Sequence, residues 1–299
     1  MVDNSPDISG KKIVEEVFPH VNWHFMGYNA GFARANNVGV DLSRGEICLL
    51  LNSDTLVLND AIQGCFESFV SSEYIACGVQ LLNTDGSPQI SGNYFMPGSI
   101  NNLLPLPVIG SLLKFGGNLL GVKKPHIPDS NSVQKVDWIN GAFLMVKKKV
   151  LAISGQLDPD FFLYAEEAEW CSRLSKIGPL CIFGQYKVIH LQGESANKTF
   201  STEGKGYYDL YSKKGLQILL SNMVRIRKQF GVLWLLFHVF LHVVEIFLFL
   251  LLAFFRSLFL LRNPIKEFRN PVLFFLNVVR LIGYLPPLIA HRPFFYKVL

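Results

Sequence analysis

Three polar groups in this chain stand where apolar runs end. The run Ile47-Cys-Leu-Leu-Leu51 leads into Asn52-Ser53-Asp54. Consecutive apolar residues of this kind read as a strand covered on both faces. In open α/β sheets the carboxyl ends of strands form the rim where ligands bind. Residues two apart on an extended end face the same side, so Asn52 and Asp54 can address one ligand. A lone carboxylate there suits Mg2+ or Mn2+ carrying the phosphates of a nucleotide, with the phosphates supplying further oxygens. The second group is Glu166, Glu167 and Glu169 at the start of a helix-forming stretch. Clustered acids there favour the helix dipole, and one of them can equally accept a proton from a reacting hydroxyl. Glu169 and Arg173 are four apart, the spacing of a helical ion pair. The third group is Asn29 to Asn37, a polar turn into a helix. Gly31 lets the backbone turn, Asn37 can hold the loop by side-chain hydrogen bonds, and Arg34 faces either a phosphate or solvent.

These groups need elements to hold them. Strands are expected near Val21–Met26, Glu46–Leu51, Ile75–Leu82, Val136–Lys147 and Pro179–His190. Helices are expected near Ser9–Phe18, Phe32–Ser43, Asp60–Ser71 and after Phe161, with Asn59 or Asp60 as a cap for the third. Strands alternating with helices argue for a mostly parallel sheet. Residues 83–134, rich in Gly, Pro, Asn and Ser, read as a long excursion over the site, helical near Ser99–Phe115. Asp3-Asn4 follows a strand end, where it either makes an Asx turn or accepts from a base or a ribose.

Half of the 299 residues are hydrophobic and 17% are charged, too apolar for an ordinary soluble domain. The excess sits in 230–262 and 271–290. Residues 230–261 are long enough to span a bilayer, but His238, His242, Glu245 and Arg256 interrupt the run. Basic residues flank it: Arg225, Arg227 and Lys228 before, Arg262, Lys266 and Arg269 after. By that pattern both flanks prefer the cytoplasmic side, which a re-entrant hairpin, in-plane helices or two spans using 271–290 would satisfy; Asn277, Arg280 and Pro286-Pro287 interrupt the second segment and favour interfacial helices there. A buried helical bundle is the alternative. With a formal net charge of +5, a membrane surface explains the basic residues better than nucleic acid does. The five cysteines form no C-x-x-C pair, so a zinc site is not expected, and the first residues carry no apolar leader.

The segments V-D-N-S-x-x-D, N-x-G-F-A-x-A-N-N-x-G, L-L-L-N-S-D-T, W-I-N-G-A-F-L-M-V, F-F-L-Y-A-E-E-A-E-W-C-x-R and H-L-Q-G-E-S come in this order. Together they resemble family 2 glycosyltransferases of GT-A fold, closest to the rhamnosyltransferase-like branch, over residues 2–215. The resemblance implies a GT-A domain at 1–215 followed by a basic amphipathic and hydrophobic membrane-associated helical region at 216–299. It implies an inverting, metal-dependent transfer of a sugar from a nucleotide diphosphate-sugar to a hydroxyl of a saccharide or polyprenyl-linked saccharide. The setting would be cell-surface polysaccharide biosynthesis at the cytoplasmic face of a bacterial inner membrane, with membrane lipid as a partner and no nucleic acid.

By the same resemblance, Asp3, Asn4, Asn29, Gly31, Arg34, Asn37, Asn52 and Asp54 serve the nucleotide-sugar. Trp138, Asn140, Gly141, Ala142 and Glu166 serve the acceptor. Asp54 and His190 hold the metal, and Glu167 stands where the family carries its general base, usually Asp. The loop 192–206, with Lys198 and Lys205, is a candidate lid. Family members usually carry a strand and helix ahead of the V-D-N segment; this chain opens on it, so one βα unit is expected to be missing. That departure, with Glu in place of Asp, leaves a catalytically inactive GT-A-like membrane-associated protein as the alternative.

Overall fold

The computed structural model describes residues 1–5, 7–122, 126–127, 129–191, 199–200 and 210–298. The chain opens with β1 (Val2–Asp3), α1 (Lys11–Val17), β2 (His24–Phe25) and α2 (Gly31–Leu42). β3 (Ile47–Leu51), β4 (Thr55–Val57), α3 (Ala61–Val70) and β5 (Ala76–Leu82) follow. The excursion contains β6 (Gly92–Asn93), a 3-10 segment Pro97–Leu103, α4 (Ile109–Leu119) and β7 (His126–Ile127). Then come β8 (Val133–Val136), β9 (Trp138–Ile139), β10 (Phe143–Lys147), α5 (Leu151–Ser154), α6 (Glu166–Leu174) and β11 (Leu180–His190). The C-terminal part is helical: α7 (Lys213–Phe230), α8 (Val232–Phe259), α9 (Pro264–Gly283) and α10 (Leu285–Ile289).

The α/β class is as expected, but the sheet is mixed rather than mostly parallel. Its strand order is β3-β10-β5-β11-β4, with β8 also on β11. Only β5 and β11 pair in parallel within it. β10 returns from the long excursion and enters antiparallel between β3 and β5. The expected strand 136–147 is broken into β8, β9 and β10: β8 and β10 join the six-stranded sheet, while β9 pairs with β6 in a separate three-stranded one. β1 and β2 form a separate parallel pair.

Strand residues alternate between two apolar layers, the period-2 signature of a pleated sheet. Cys48, Leu50, Leu144, Val146, Leu180 and Ile182 face α2 and α6. Cys77, Phe143, Met145, Cys181 and Phe183 face α3. All five cysteines are buried and free. Asp60 does occupy the N-cap of α3, yet with φ 53° and no side-chain capping bond.

A third apolar cluster joins Leu103, Leu106 and Phe161 to α7, α8, α9 and α10. Fully burying a Leu or Phe contributes about 1.5–3 kcal/mol, so this cluster fixes the helices against the α/β part. Among the described residues one helix, α8, is long and apolar enough to cross a membrane, with hydropathy 2.5. His238, His242 and Glu245 of this helix are buried, whereas Arg256 is exposed. Glu245 accepts from the N–H groups of Val108 (2.7 Å) and Ile109 (2.8 Å), which satisfies orphan donors at the start of α4. His238 bonds the Gly98 carbonyl at 2.8 Å. Leu233, Phe240, Phe247, Leu251 and Phe254 are exposed on the other side.

The basic flank reads differently in three dimensions. Arg225 is buried and lies over the Phe95 ring at 5.0 Å. Lys228 pairs with Asp158 and Asp160, both at 2.7 Å. Lys228 is thus paired with internal carboxylates, and Arg225, which also donates to Gln229 Oε1 at 3.0 Å, is packed inside; neither is free to meet a membrane surface.

Gly31 joins the start of α2 to the loop ahead of α6. Its φ is +78°, and a Cβ there would lie 2.2 Å from the Phe162 carbonyl oxygen; that oxygen accepts from the Phe32 N–H at 2.8 Å. Gly31→Ala combines an unfavourable backbone region with a clash against main chain, and should cost more than about 2 kcal/mol in denaturant unfolding. Gly39→Ala, whose Cβ would only touch Val2 Cγ2 at 3.4 Å, should be neutral or stabilising, because Ala is the better helix former.

Candidate functional site

A cavity of about 1030 Å³ opens between β1, β3, α2, the start of α6 and the start of α7. Asp3, Asn4, Asn29, Gly31, Asn52, Asp54, Asn140, Gly141, Ala142, Glu166, Glu167 and His190 all line it. These residues are up to 187 positions apart in the chain (190 − 3) and meet only through the fold.

Three of the predicted site residues are elsewhere. Arg34 donates through Nε to the Pro159 carbonyl at 2.9 Å, and its guanidinium stacks on Phe295 at 3.7 Å. Asn37 donates to the Leu157 carbonyl (2.7 Å) and accepts from the Leu157 N–H (3.1 Å). Both tie α2 to the loop ahead of α6 and do not line the cavity. Trp138 packs against the α2–α6 apolar layer and is also outside the lining. The loop 192–206, apart from Thr199 and Phe200, lies outside the described residues.

The floor is set by hydrogen bonds of short polar side chains. Asn4 accepts from the Ala30 N–H at 2.8 Å and donates to the Gly31 carbonyl at 3.1 Å. It therefore latches β1 onto the turn entering α2. Asp3 Oδ1 accepts from the Ser5 N–H and hydroxyl at 3.0 and 2.6 Å, so the Asx turn forms at a residue that also faces the cavity. Asn140 Oδ1 accepts from the Ala142 N–H at 3.0 Å, and Ala142 in turn accepts from the Asn52 N–H at 3.1 Å. The Asn52 rim and the Asn140–Ala142 turn are thus one unit.

The antiparallel pairing of β4 with β11 places Thr55 opposite His190, which brings Asp54 alongside. His190 Nε2 lies 3.5 Å from Asp54 Oδ1. Its other nitrogen meets Gln89 Oε1 at 3.1 Å. The Gln89 amide nitrogen already donates to Asn83 Oδ1 (2.8 Å) and to the His190 carbonyl (2.6 Å). Gln89 Oε1 is then the acceptor, and His190 Nδ1 carries the hydrogen. In the neutral ring Nε2 turns a lone pair toward a carboxylate, an arrangement that calls for a cation or proton beside them. This second-shell orientation of an imidazole is the one metal-binding histidines use. One carboxylate and one imidazole fit a divalent ion that takes its remaining oxygens from a diphosphate. Among the described residues no group of three or more His, Cys, Asp or Glu could hold a metal unaided.

Opposite this rim, Tyr164 and Ala165 hold left-handed backbone conformations, φ 73° and 66°. Two such non-glycine residues in a row store strain, which tends to collect at functional sites. They aim the start of α6, and with it Glu166 and Glu167, into the cavity. Both carboxyls are buried. Burial pushes the Glu166 carboxyl well above the usual carboxylate range, and the charge of Glu167 adds to this. Burial also raises Glu167, but backbone donors at the helix start and the Arg225 guanidinium oppose the rise. The upward push is therefore stronger at Glu166 than at Glu167. Two adjacent carboxyls with separated proton affinities are the usual basis for dividing acid and base roles. Glu169 does not join them. It forms the bidentate pair with Arg173, at 2.9 Å from Nε and 2.8 Å from Nη2, and Arg173 also bonds the carbonyls of Ser154 and Gln156.

Two residues were not singled out for the site from the sequence. Lys214 is buried and lines the cavity from α7. Arg225, eleven positions on (225 − 214), acts electrostatically on Glu167. No local motif marks either one; a tertiary contact between α6 and α7 is what brings them in.

Glu166 gives a pH signature. Its folded-state proton affinity is raised, so the unfolded chain releases that proton first as pH rises. Stability falls with rising pH until the folded group also ionises. Glu166→Gln removes that penalty. Its gain in melting temperature over the parent should grow between pH 5 and pH 8 in parallel thermal scans.

Residues 1–138 match the family model for Glycosyl transferase family 2. The chain is 27% identical over 174 residues to the low-salt glycan biosynthesis hexosyltransferase Agl10 of Haloferax volcanii, covering 56% of this chain and 51% of that protein. It is 24% identical over 202 residues to the dTDP-rhamnosyl transferase RfbF of Shigella flexneri, covering 66% of this chain and 61% of that one. The chain therefore spans a little over half the length of these curated relatives. Among solved structures, a mannosyltransferase of Pyrobaculum calidifontis in complex with GDP-Man and Mn2+ aligns over 94% of this chain and 76% of its own, at 14% identity and a TM-score of 0.48. The first 138 residues thus match glycosyltransferase family 2, and the chain is similar over about half to two thirds of its length to these two transferases.

Proposed function

We propose that the protein transfers a sugar, with inversion, from a nucleotide diphosphate-sugar to a hydroxyl of a saccharide acceptor in glycan or polysaccharide biosynthesis. The observation that carries this reading is the convergence of the nucleotide-side, metal-side and acid-side residues on one cavity. The family match over residues 1–138 and the activities of the two curated relatives point the same way.

In this reading Asp3, Asn4 and Asn29 orient the nucleoside end, and Asn52 and Asp54 address the diphosphate. Asp54 and His190 would hold Mg2+ or Mn2+, which would supply positive charge against the departing diphosphate. Glu167 takes the proton of the acceptor hydroxyl. The acceptor oxygen then bonds to the anomeric carbon as the bond from that carbon to the phosphate oxygen breaks, and the electron pair leaves with the diphosphate. Glu166, protonated, donates a hydrogen bond to the acceptor. Gly141 leaves room beside Glu167, since a Cβ there would contact the Glu167 side chain at 3.6 Å.

The proposed division is a catalytic domain at 1–215 and a membrane-associated helical region at 216–299, with α7 packed against both. The exposed apolar side of α8 supports in-plane attachment to lipid, because contiguous apolar surface of this extent is unfavourable in water. A polyprenyl-linked saccharide acceptor on the cytoplasmic face of a membrane suits that placement.

A sugar-transfer assay with candidate nucleotide-sugars tests the chemistry. Glu167→Gln should lower kcat on the order of a hundredfold to ten-thousandfold while nucleotide affinity stays near that of the parent. Asp54→Ala should abolish metal-dependent nucleotide binding in calorimetry. Background turnover by the parent protein itself would defeat the enzyme reading. For attachment, the full chain should float with vesicles of phosphatidylcholine and phosphatidylglycerol, and a Phe240→Ser, Phe247→Ser double variant should remain mostly unbound.

A further inference from the structure

We propose that α4 is a second lipid-contacting element, its solvent-facing apolar stripe lying in the surface of a bilayer beside α8. The inference rests on the membrane attachment read above for residues 216–299 and deepens it, since α4 lies outside that region, in the excursion between β6 and β7.

The residues of α4 (Ile109–Leu119) fall on three sides of the helix. Ile109 and Leu113 pack against the third apolar cluster. Leu112, Phe115 and Leu119 follow the i, i+3, i+7 spacing of a single helix face, and they are 62, 65 and 71% exposed. Leu120 and Val122 continue this exposed surface past the end of the helix. Ser111, Lys114 and Asn118 occupy the remaining side and are exposed as well. A surface helix of a soluble domain turns one apolar face inward and polar residues outward. Here a second apolar face is left uncovered among the described residues. Single exposed leucines are ordinary, but a row of large apolar side chains marks an interaction surface.

The stripe is presented from a fixed helix. Glu245 of α8 accepts from the N–H groups of Val108 and Ile109 at the start of α4, at 2.7 and 2.8 Å. Phe247, two positions on (247 − 245), is among the exposed apolar residues of α8. The two helices that expose the largest apolar side chains are therefore joined at one point, which makes the α4 surface continuous with the element already read as lying on lipid.

Charge selects the occupant. No Asp or Glu occurs in the sequence between Asp85 and Asp129, whereas Lys114, Lys123 and Lys124 do. A basic amphipathic helix with Leu and Phe on its apolar side is the pattern of helices that lie at the headgroup boundary, where anionic lipids attract the lysines. A second copy of the same face would bring like charges together. The neighbouring helix α8, of mean hydropathy 2.5, is apolar enough for hydrocarbon. A lipid surface thus matches both the charge of α4 and the helix that holds it.

The excursion also reaches the cleft. β6 pairs with β9, setting Gly92 opposite Ile139. The next residue, Asn140, donates its N–H to the Ser91 carbonyl at 3.0 Å and lines the cavity. Lipid contact at α4 would therefore set the wall assigned above to the acceptor close to the bilayer, where a lipid-held saccharide would be presented.

The five native cysteines are all buried, so a nitroxide can be placed on a single introduced surface cysteine of the full chain. Phe115→Cys, Asn118→Cys and Phe247→Cys are labelled, and the proteins are reconstituted with vesicles of phosphatidylcholine and phosphatidylglycerol. Collision with oxygen and with a water-soluble nickel chelate is then measured. The label at 115 should match the one at 247, open to oxygen and shielded from nickel, while the label at 118 should meet nickel readily. Equal nickel access at 115 and 118 with shielding at 247 overturns the proposal and leaves attachment through α8 standing. Nickel access at all three defeats both. Dipolar broadening at 115 that vanishes on dilution with unlabelled protein places a second copy on the stripe and also overturns the proposal. In a partition assay with the same vesicles, a Leu112→Ser, Phe115→Ser double variant should bind about ten- to a hundredfold more weakly than the parent. Its melting temperature should stay near the parent's, because both side chains are exposed. Parent-like partitioning overturns the proposal; if the double variant proves unstable, the label at 115 decides.

Discussion

Asp54 and His190 meet because β4 and β11 pair antiparallel in a register that sets Thr55 opposite His190. The rest of the cleft depends on that meeting. His190 Nε2 and Asp54 Oδ1 stand 3.5 Å apart at the sheet rim. Gln89 fixes the imidazole in that orientation by bonding both its Nδ1 and its carbonyl. In the proposed reading this pair is where a divalent ion would sit, taking its remaining oxygens from a diphosphate.

Electrostatics and packing are coupled across the site. Strained left-handed residues at Tyr164 and Ala165 drive Glu166 and Glu167 into a dry environment. That environment raises both proton affinities, and Arg225 from α7 keeps Glu167 the more acidic of the two. The helical C-terminal part takes part in this coupling: Lys214 lines the cleft, Arg225 acts electrostatically on Glu167, and Glu245 ties α4 in place. Its apolar outer side and its polar inner side belong to the same helix, α8, divided by helical periodicity.

Much of this was legible in the sequence, for identifiable reasons. Ile47–Leu51 is an unbroken apolar run, so both its strand character and the rim position of Asn52 and Asp54 followed directly. The acids at 166–169 lie next to one another, and local spacing alone separated Glu169, paired with Arg173, from the other two. The failures are equally specific. Arg34 and Asn37 sit on a helix whose rotation about its axis cannot be read from one short segment; the fold turns them toward Pro159 and Leu157. The mixed sheet was hidden because β10 is reached through a long excursion that carries no directional signal. Arg225 and Lys228 looked like membrane flanks because their partners, the α6 acids and Asp158 with Asp160, are about 60 positions or more away. Lys214 had no motif at all.

The most direct test of the central claim is electron–nuclear double resonance on Mn2+ bound to the full chain with a nucleoside diphosphate. The account predicts phosphorus coupling from the diphosphate together with a nitrogen coupling that disappears in His190→Ala, and loss of the bound signal in Asp54→Ala. A spectrum indistinguishable from the metal–nucleotide complex free in buffer, and unaltered by either substitution, would contradict it.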